Sequence, residues 1–367
     1  MSRPVVANTL GPRGFFDHLS KNYKNEYWEF EKRLGFGAFG FTALFKRKGS
    51  PEQPAQRTAV KFAVGNDGRG ATSLRDEIKM LEKVNGASHI VSAFASCSDL
   101  ACARLAASGF SGNDNTGIPA LAVFEGSVGL QGPAVALEYL EYGDIFGLMN
   151  KIRRTDLNVP NRVLWSFFCC FIRASVGLAY PAGKPLGSNA QILEELPPDH
   201  KPSTESGIMH LDFNNRNIML TVDDGPEHKI GVKAKLIDFG LANGRLGRSG
   251  SPVNIFDAAR TVATLATPRL GIPNNTCEYK GLPTKGVNLV GTGEAPFPLP
   301  WLDPELRDFL ARCLYAEEAH RPGLQEALQV AENAVRSKTA MSFPEPDLET
   351  ESAVDAFIQE FVFNVPP

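Results

Sequence analysis

Residues 210–217, HLDFNNRN, and residues 238–240, DFG, decide how this chain is read. In the first stretch Asp212 leads through a polar, turn-like run to Asn217, which stands just before the apolar strand Ile218-Met219-Leu220. In the second, Leu236-Ile237 run into Asp238, ahead of Phe239-Gly240. A carboxylate and a carboxamide aimed at one point from two strand ends make a hard-oxygen site, the kind that holds magnesium together with substrate phosphates. Asp212, off the metal, is placed to accept the proton of an attacking hydroxyl. Taken alone, Asp238-Phe239-Gly240 also reads as a plain turn after a strand. Its meaning depends on what precedes it.

Upstream, Gly35-Phe36-Gly37-Ala38-Phe39-Gly40 lies between two alternating polar and apolar segments within residues 27–48, the pattern of strand, glycine turn, strand. A turn that lays backbone N–H groups over phosphate oxygens cannot carry Cβ atoms at the points of approach. A dinucleotide fingerprint sits between a strand and a helix, whereas here a second strand follows, which disfavours that fold. Lys61 interrupts the apolar strand over residues 57–64. A buried ammonium needs a partner or a phosphate to offset its desolvation. Glu77, on a helix expected over residues 73–84 with Ser73 as its N-cap, is the expected partner. The plainer alternatives are a glycine-rich hairpin and a lysine that snorkels from an edge strand to solvent.

Composition narrows the rest. The chain has 367 residues, is 43% hydrophobic and carries a net charge of -3 from 38 basic and 41 acidic residues. It can therefore bury a large core or two lobes, and it has no general pull toward nucleic acid or anionic membrane. The apolar run over residues 163–172 stops at Arg173, short of a bilayer's thickness, and residues 1–14 lack a secretory apolar run. Six cysteines form no CxxC pair, and an intracellular protein of cytoplasm or nucleus is expected. Further strands are expected at 90–96 and 134–139, and a hairpin at 218–222 and 234–237. Helices are expected at 144–153, 162–178, 255–265, 304–314 and 324–337. Residues 97–132 read as a Gly, Ala and Ser-rich insertion, residues 181–206 as a Pro-rich surface excursion, and His89 as a connector position. The whole is α+β, divided into an amino-terminal extension (1–26), a strand-rich lobe (27–142), a helical lobe (143–337) and an acidic tail (338–367) with an amphipathic piece at 353–363.

Over residues 27–336 this motif set resembles the eukaryotic-type protein kinases. A weaker likeness is to divergent kinase-like proteins of filamentous fungi. The resemblance implies a bilobal kinase-like fold, ATP and Mg2+ as cofactors, and a protein substrate. Gly35, Gly37 and Gly40 would cover the phosphates, Leu34 beside them would belong to the ATP site, and Lys61 with Glu77 would hold the α- and β-phosphates. Asp212 would be the base, with Asn217 and Asp238 the magnesium ligands. Residues 137–144 resemble the hinge: the backbone of Glu138 and Leu140 would meet adenine, Asp144 would approach the ribose, and Ala59 and Met219 would sandwich the ring. His210, Phe239 and Leu81 stand where the family stacks its internal spine.

The chain departs from the family at four places. Leu211 replaces the arginine that receives an activation-loop phosphate, so switching by loop phosphorylation is expected to be absent. Asn214 replaces a lysine near the transferring phosphoryl group, a loss expected to slow transfer on the order of 10²–10³-fold. The segment after Gly240 is short and lacks an A-P-E triplet, which deprives Arg321 of its usual glutamate. Asn254 replaces an aspartate at the start of the central helix. Three readings follow: a Ser/Thr protein kinase, a weakly active or inactive ATP-binding module, and a kinase of small molecules on the same fold.

Overall fold

The computed structural model describes residues 11–37, 40–48, 57–63, 68–98, 100, 122–125, 130–188, 191–223, 225, 229–270, 275–291 and 299–364. Ala38 and Phe39 of the glycine turn, and most of the 97–132 insertion, lie outside the described residues. The chain divides into two compact units. The first comprises residues 1–87, 91–139 and 182–192, and the second residues 88–90, 140–181 and 193–367.

The first unit is built on one antiparallel sheet. Its elements are α1 (Pro12–Asn22), β1 (Trp28–Phe36), β2 (Gly40–Arg47), β3 (Arg57–Ala63), α2 (Arg69–Val84), β4 (Ala93–Cys97), α3 (Ala122–Glu125) and β5 (Ala134–Glu138). The strand order is β1-β2-β3-β5-β4. All five strands stand where the sequence led one to expect them, although β4 starts at Ala93 and not at residue 90. Helix α1 was not expected, because residues 1–26 read as an extension. It starts after Gly11 with Pro12 in its first turn, where a missing N–H costs nothing. Phe15, Phe16 and Leu19 bury one face of it against the sheet, with the Phe15 ring stacked 4.1 Å from Phe41. Helix α2 begins at Arg69, capped by Gly68 with φ of 74°, so Ser73 lies inside the helix and is not its cap.

Residues 182–192 belong to this unit and are not a loose excursion. Gly183 N–H donates to Lys83 O, Lys184 N–H to Asn85 O and Ile192 N–H to Gly86 O, while the Asn85 amide donates to the carbonyls of Lys184 and Pro185.

The second unit is mainly helical: α4 (Ile145–Ile152), α5 (Asn161–Ala179), α6 (Ser251–Ala266), α7 (Val287–Val290), α8 (Pro304–Cys313), α9 (Leu324–Ser337) and α10 (Glu351–Ile358). Two-stranded ribbons join β6 (Ile208–Met209) to β9 (Asn243–Gly244), β7 (Ile218–Val222) to β8 (Val232–Leu236), and β10 (Cys277–Tyr279) to β11 (Leu282–Thr284). Helix α5 is its axis, buried at every residue from 163 to 179. Its apolar run does not stop at Arg173: the guanidinium is buried, with one terminal nitrogen 2.7 Å from Glu194 O and the other 2.8 Å from the Glu332 carboxylate. The helix is thus long and apolar enough to cross a membrane by length and composition, but 94% of that window is buried inside the protein.

The acidic tail is part of this unit. Pro160 offers α5 no side-chain cap. Glu349 supplies one from the tail, accepting from the N–H groups of Asn161 and Arg162 and from the Asn161 amide. Residues 193–206 also pack into this unit: Glu194 is buried against His89, 2.7 Å from both the ring Nδ1 and the backbone N–H. His89 is therefore an anchored core residue and more than a connector.

Candidate active site

In the first unit the glycine turn is closed by Gly37 N–H donating to Gly40 O at 2.9 Å. The three glycines differ in kind. A Cβ on Gly40 would stand 2.7 Å from the Phe62 carbonyl oxygen, so packing against β3 requires glycine there. A Cβ on Gly35 or Gly37 would meet nothing within 4 Å, and neither residue has a left-handed φ. Among the described residues nothing demands glycine at those two positions, and bare backbone there faces open space. Leu34 and Phe36 beside them are exposed.

Lys61, mid-strand in β3, does not snorkel outward. Its Nζ lies 2.8 and 2.7 Å from the two Glu77 carboxylate oxygens, with only 13% of the lysine side chain and 2% of the glutamate exposed. A buried ion pair is a poor way to gain stability, because well-packed hydrocarbon of similar volume does as well or better. Its presence between β3 and α2 fits a site that needs one oriented cation. Ala59 is buried two residues earlier on the same strand. Glu138 has its N–H committed to Ser92 O and its carboxylate to Ser92 N–H.

In the second unit the loop after β6 wraps around His210, which is wholly buried. The ring Nε2–H donates to Ile237 O at 3.0 Å, and Nδ1 accepts from Asp212 N–H at 3.3 Å. Burial pushes its pKa down to about 4, against the upward pull of the Ile237 carbonyl, Asp238 and Asp212. Phe239 packs edge-on against the imidazole at 4.9 Å. Leu211 and Asp238, which flank this imidazole in the loop and at the strand end, both hold φ of 62°. A left-handed leucine or aspartate costs on the order of 1 kcal/mol, and such strain gathers at functional sites.

Asp212 and Asn217 are brought together directly. The Asn217 amide donates to Asp212 O at 2.9 Å and to its Oδ2 at 2.7 Å. That orientation leaves Asn217 Oδ1 with no hydrogen bond among the described residues. Asn217 O accepts from Ile237 N–H, which places Asp238 one residue away; one Asp238 oxygen accepts from Gly240 N–H at 3.3 Å. Among the described residues no three His, Cys, Asp or Glu side chains form a ready-made metal cage. One carboxylate and one uncommitted amide oxygen suit a magnesium ion that draws its other ligands from water and phosphate.

Leu140, Asp144 and Met219, the other residues expected around adenine and ribose, lie in this unit. Leu140 N–H makes no hydrogen bond among the described residues. Asp144 caps α4, accepting from Gly147 N–H at 2.7 Å, and its pKa is raised by burial. This role was not expected of it, and it leaves the second carboxylate oxygen outside the cap. An isolated bridge pairs Asp144 with Met219.

Two residues at which the sequence departs from the expected pattern, Asn254 by its identity and Arg321 by its lack of a glutamate partner, have structural roles that the sequence alone did not reveal. Asn254 is buried in the first turn of α6, which begins at Ser251 and not at residue 255. It accepts from His210 N–H at 3.1 Å and donates to Ile208 O at 2.8 Å, tying down the loop. Arg321, without its glutamate, donates to the carbonyls of Tyr315, Pro252 and Ala316 and lies 4.4 Å over the Phe256 ring. Compared with models of known protein families the chain matches none, and no curated protein matches it either.

Proposed function

We propose that this chain is an ATP- and Mg2+-dependent phosphotransferase with a bilobal, protein-kinase-like fold, passing the γ-phosphate to a serine or threonine hydroxyl of a protein. The observation that carries the reading is the division of labour in Asn217. Its amide nitrogen orients the Asp212 carboxylate, and its oxygen remains for a hard cation. Magnesium bound there with ATP would neutralise charge building on the phosphoryl oxygens. Asp212 would accept the proton of the attacking hydroxyl, Asp238 and Asn217 would supply metal ligands, and Lys61, held by Glu77, would steady the α- and β-phosphates. Gly35 and Gly37 would present backbone N–H groups to the same phosphates.

A second reading has its own support. Residues 243–244 pair with 208–209, and Arg245 forms a two-point ion pair with Glu318 at 2.7 and 3.1 Å. A segment this short and this tied offers little room for a peptide platform, which favours a small hydroxylated acceptor. One assay separates these readings: ADP release from MgATP by wild type and Asp212→Asn, with generic protein acceptors and with a panel of small alcohols and sugars. The proposal expects acceptor-dependent turnover in wild type that falls to background in Asp212→Asn. Background rates in both, with a thermal shift from MgATP, would leave only an ATP-binding module. No shift at all would end the nucleotide reading.

A further inference from the structure

Asn214 stands where the resemblance leads one to look for a cation. Its side chain is engaged on both ends. Oδ1 accepts from Arg216 N–H at 2.9 Å, which fixes the amide so that its nitrogen faces Asp212. That nitrogen donates to Asp212 O at 3.0 Å and to Asp212 Oδ1 at 2.7 Å. Asn217 does the same from the other side, on the same backbone oxygen and on Oδ2. Each carboxylate oxygen therefore receives one neutral amide donor and keeps a second lone-pair direction open.

We propose that Asn214 is a positioning residue: with Asn217 it clamps the Asp212 carboxylate in one orientation, so that the base meets the acceptor hydroxyl without searching rotamers. This rests on the phosphotransferase reading and deepens it. Under the proposal, Asn214 replaces the family's cation with a positioning device and is no mere deletion. An aspartate has only a short side chain, but unclamped it still rotates about χ2, and misplacing a reacting group by about 1 Å can cost on the order of 10²-fold. The clamp uses neutral donors, so it orients the carboxylate without adding a charge beside it.

The turn made with Arg216 N–H and the clamp on Asp212 can be separated by substitution. Asn214→Asp keeps an acceptor for Arg216 N–H but has no donor for Asp212. Asn214→Ala loses both. The proposal expects kcat to fall on the order of 10–100-fold in Asn214→Asp, at least as far as in Asn214→Ala, with the KM for MgATP of both variants close to wild type. A role confined to the turn predicts the opposite, with Asn214→Asp equal to wild type, and that result overturns the proposal while leaving the phosphotransferase reading intact. The side-chain amide NMR signals of Asn214 and Asn217 give a readout that needs no turnover: both should shift in Asp212→Ala, and an unmoved Asn214 signal would also overturn it. Background turnover in wild type, together with no thermal response to MgATP, overturns the nucleotide reading and this inference with it.

Discussion

His210 should make this protein lose stability on mild acidification, by an amount the structure sets. Both ring nitrogens are committed, Nε2–H to Ile237 O and Nδ1 to Asp212 N–H, and only the neutral imidazole satisfies both. Protonation would add a hydrogen at Nδ1 facing the Asp212 N–H donor, inside a wholly buried pocket. The folded-state pKa of about 4 lies below the ordinary 6.5. Between those values the unfolded chain binds a proton that the native state refuses, so stability is present above pH 6.5 and drains away as pH falls toward 4. The full window corresponds to about 3 kcal/mol, and the part between pH 7 and pH 5 to about 2 kcal/mol.

Asp257 acts in the opposite sense. Burial, with some help from Asp212 and against Arg260 and Arg321, pushes its pKa up to about 6 from 3.8. There the native state holds a proton that the unfolded chain releases, so acidification from pH 7 to pH 5 returns about 1 kcal/mol. The wild-type profile will mix the two, and single variants separate them. Urea unfolding of wild type, His210→Gln and Asp257→Asn at pH 7 and pH 5 is the assay. The advantage of wild type over His210→Gln should shrink by about 2 kcal/mol on acidification, while its balance against Asp257→Asn should move by about 1 kcal/mol in its favour. Parallel pH profiles for wild type and His210→Gln would refute the neutral, doubly bonded imidazole.

Glu349→Ala should lower stability by about 2–3 kcal/mol in urea unfolding, because three donors at the start of α5 lose a buried acceptor. Gly40→Ala should destabilise by about 1–3 kcal/mol through its collision with Phe62 O. Gly35→Ala should leave stability within about 0.5 kcal/mol of wild type while weakening MgATP binding in a thermal-shift titration.

What the sequence disclosed, it disclosed through local periodicity. The hairpin of β1 and β2, the strand carrying Lys61 and the full span of α9 were all readable, because a period of 2 or of 3.6 needs only neighbours along the chain. The Lys61–Glu77 pair was readable too, since each is a charge on an otherwise apolar face. Residues 182–192 do lie at the surface, as read, but their docking through the backbone N–H groups of Gly183, Lys184 and Ile192 was not legible, because such bonds leave no side-chain pattern. Glu194 was hidden for a related reason. A buried carboxylate is credible only beside its partners, and His89 and Arg173 lie 105 and 21 residues away. Helix α1 escaped notice because two turns of Phe15, Phe16 and Leu19 make a short signal that means little until the sheet beneath them is known. At the site, Asp212, Asn217 and Asp238 were legible as residue types, but which end of each amide faces the carboxylate was not.

The amide orientations bear on why the chain departs from the kinase pattern at Leu211, Asn214 and Asn254 together. Each departure removes a charge that the resemblance leads one to expect. Two of the three residues put a neutral, directional amide in its place. Asn254 illustrates the difference. An aspartate there could accept from His210 N–H but would turn its second oxygen toward the Ile208 carbonyl, two acceptors face to face in a buried position. The asparagine accepts at one end and donates at the other, closing both bonds without a buried charge. Asn214 follows the same logic on Asp212, with a donor toward the carboxylate and an acceptor toward Arg216 N–H. The Asn254 bonds join neutral groups and are not weakened by salt as exposed ion pairs are, and neither asparagine requires an incoming phosphate to complete its bonds. Under the proposed function, a loop whose bonds are closed by its own residues in this way would need no added phosphate to complete it.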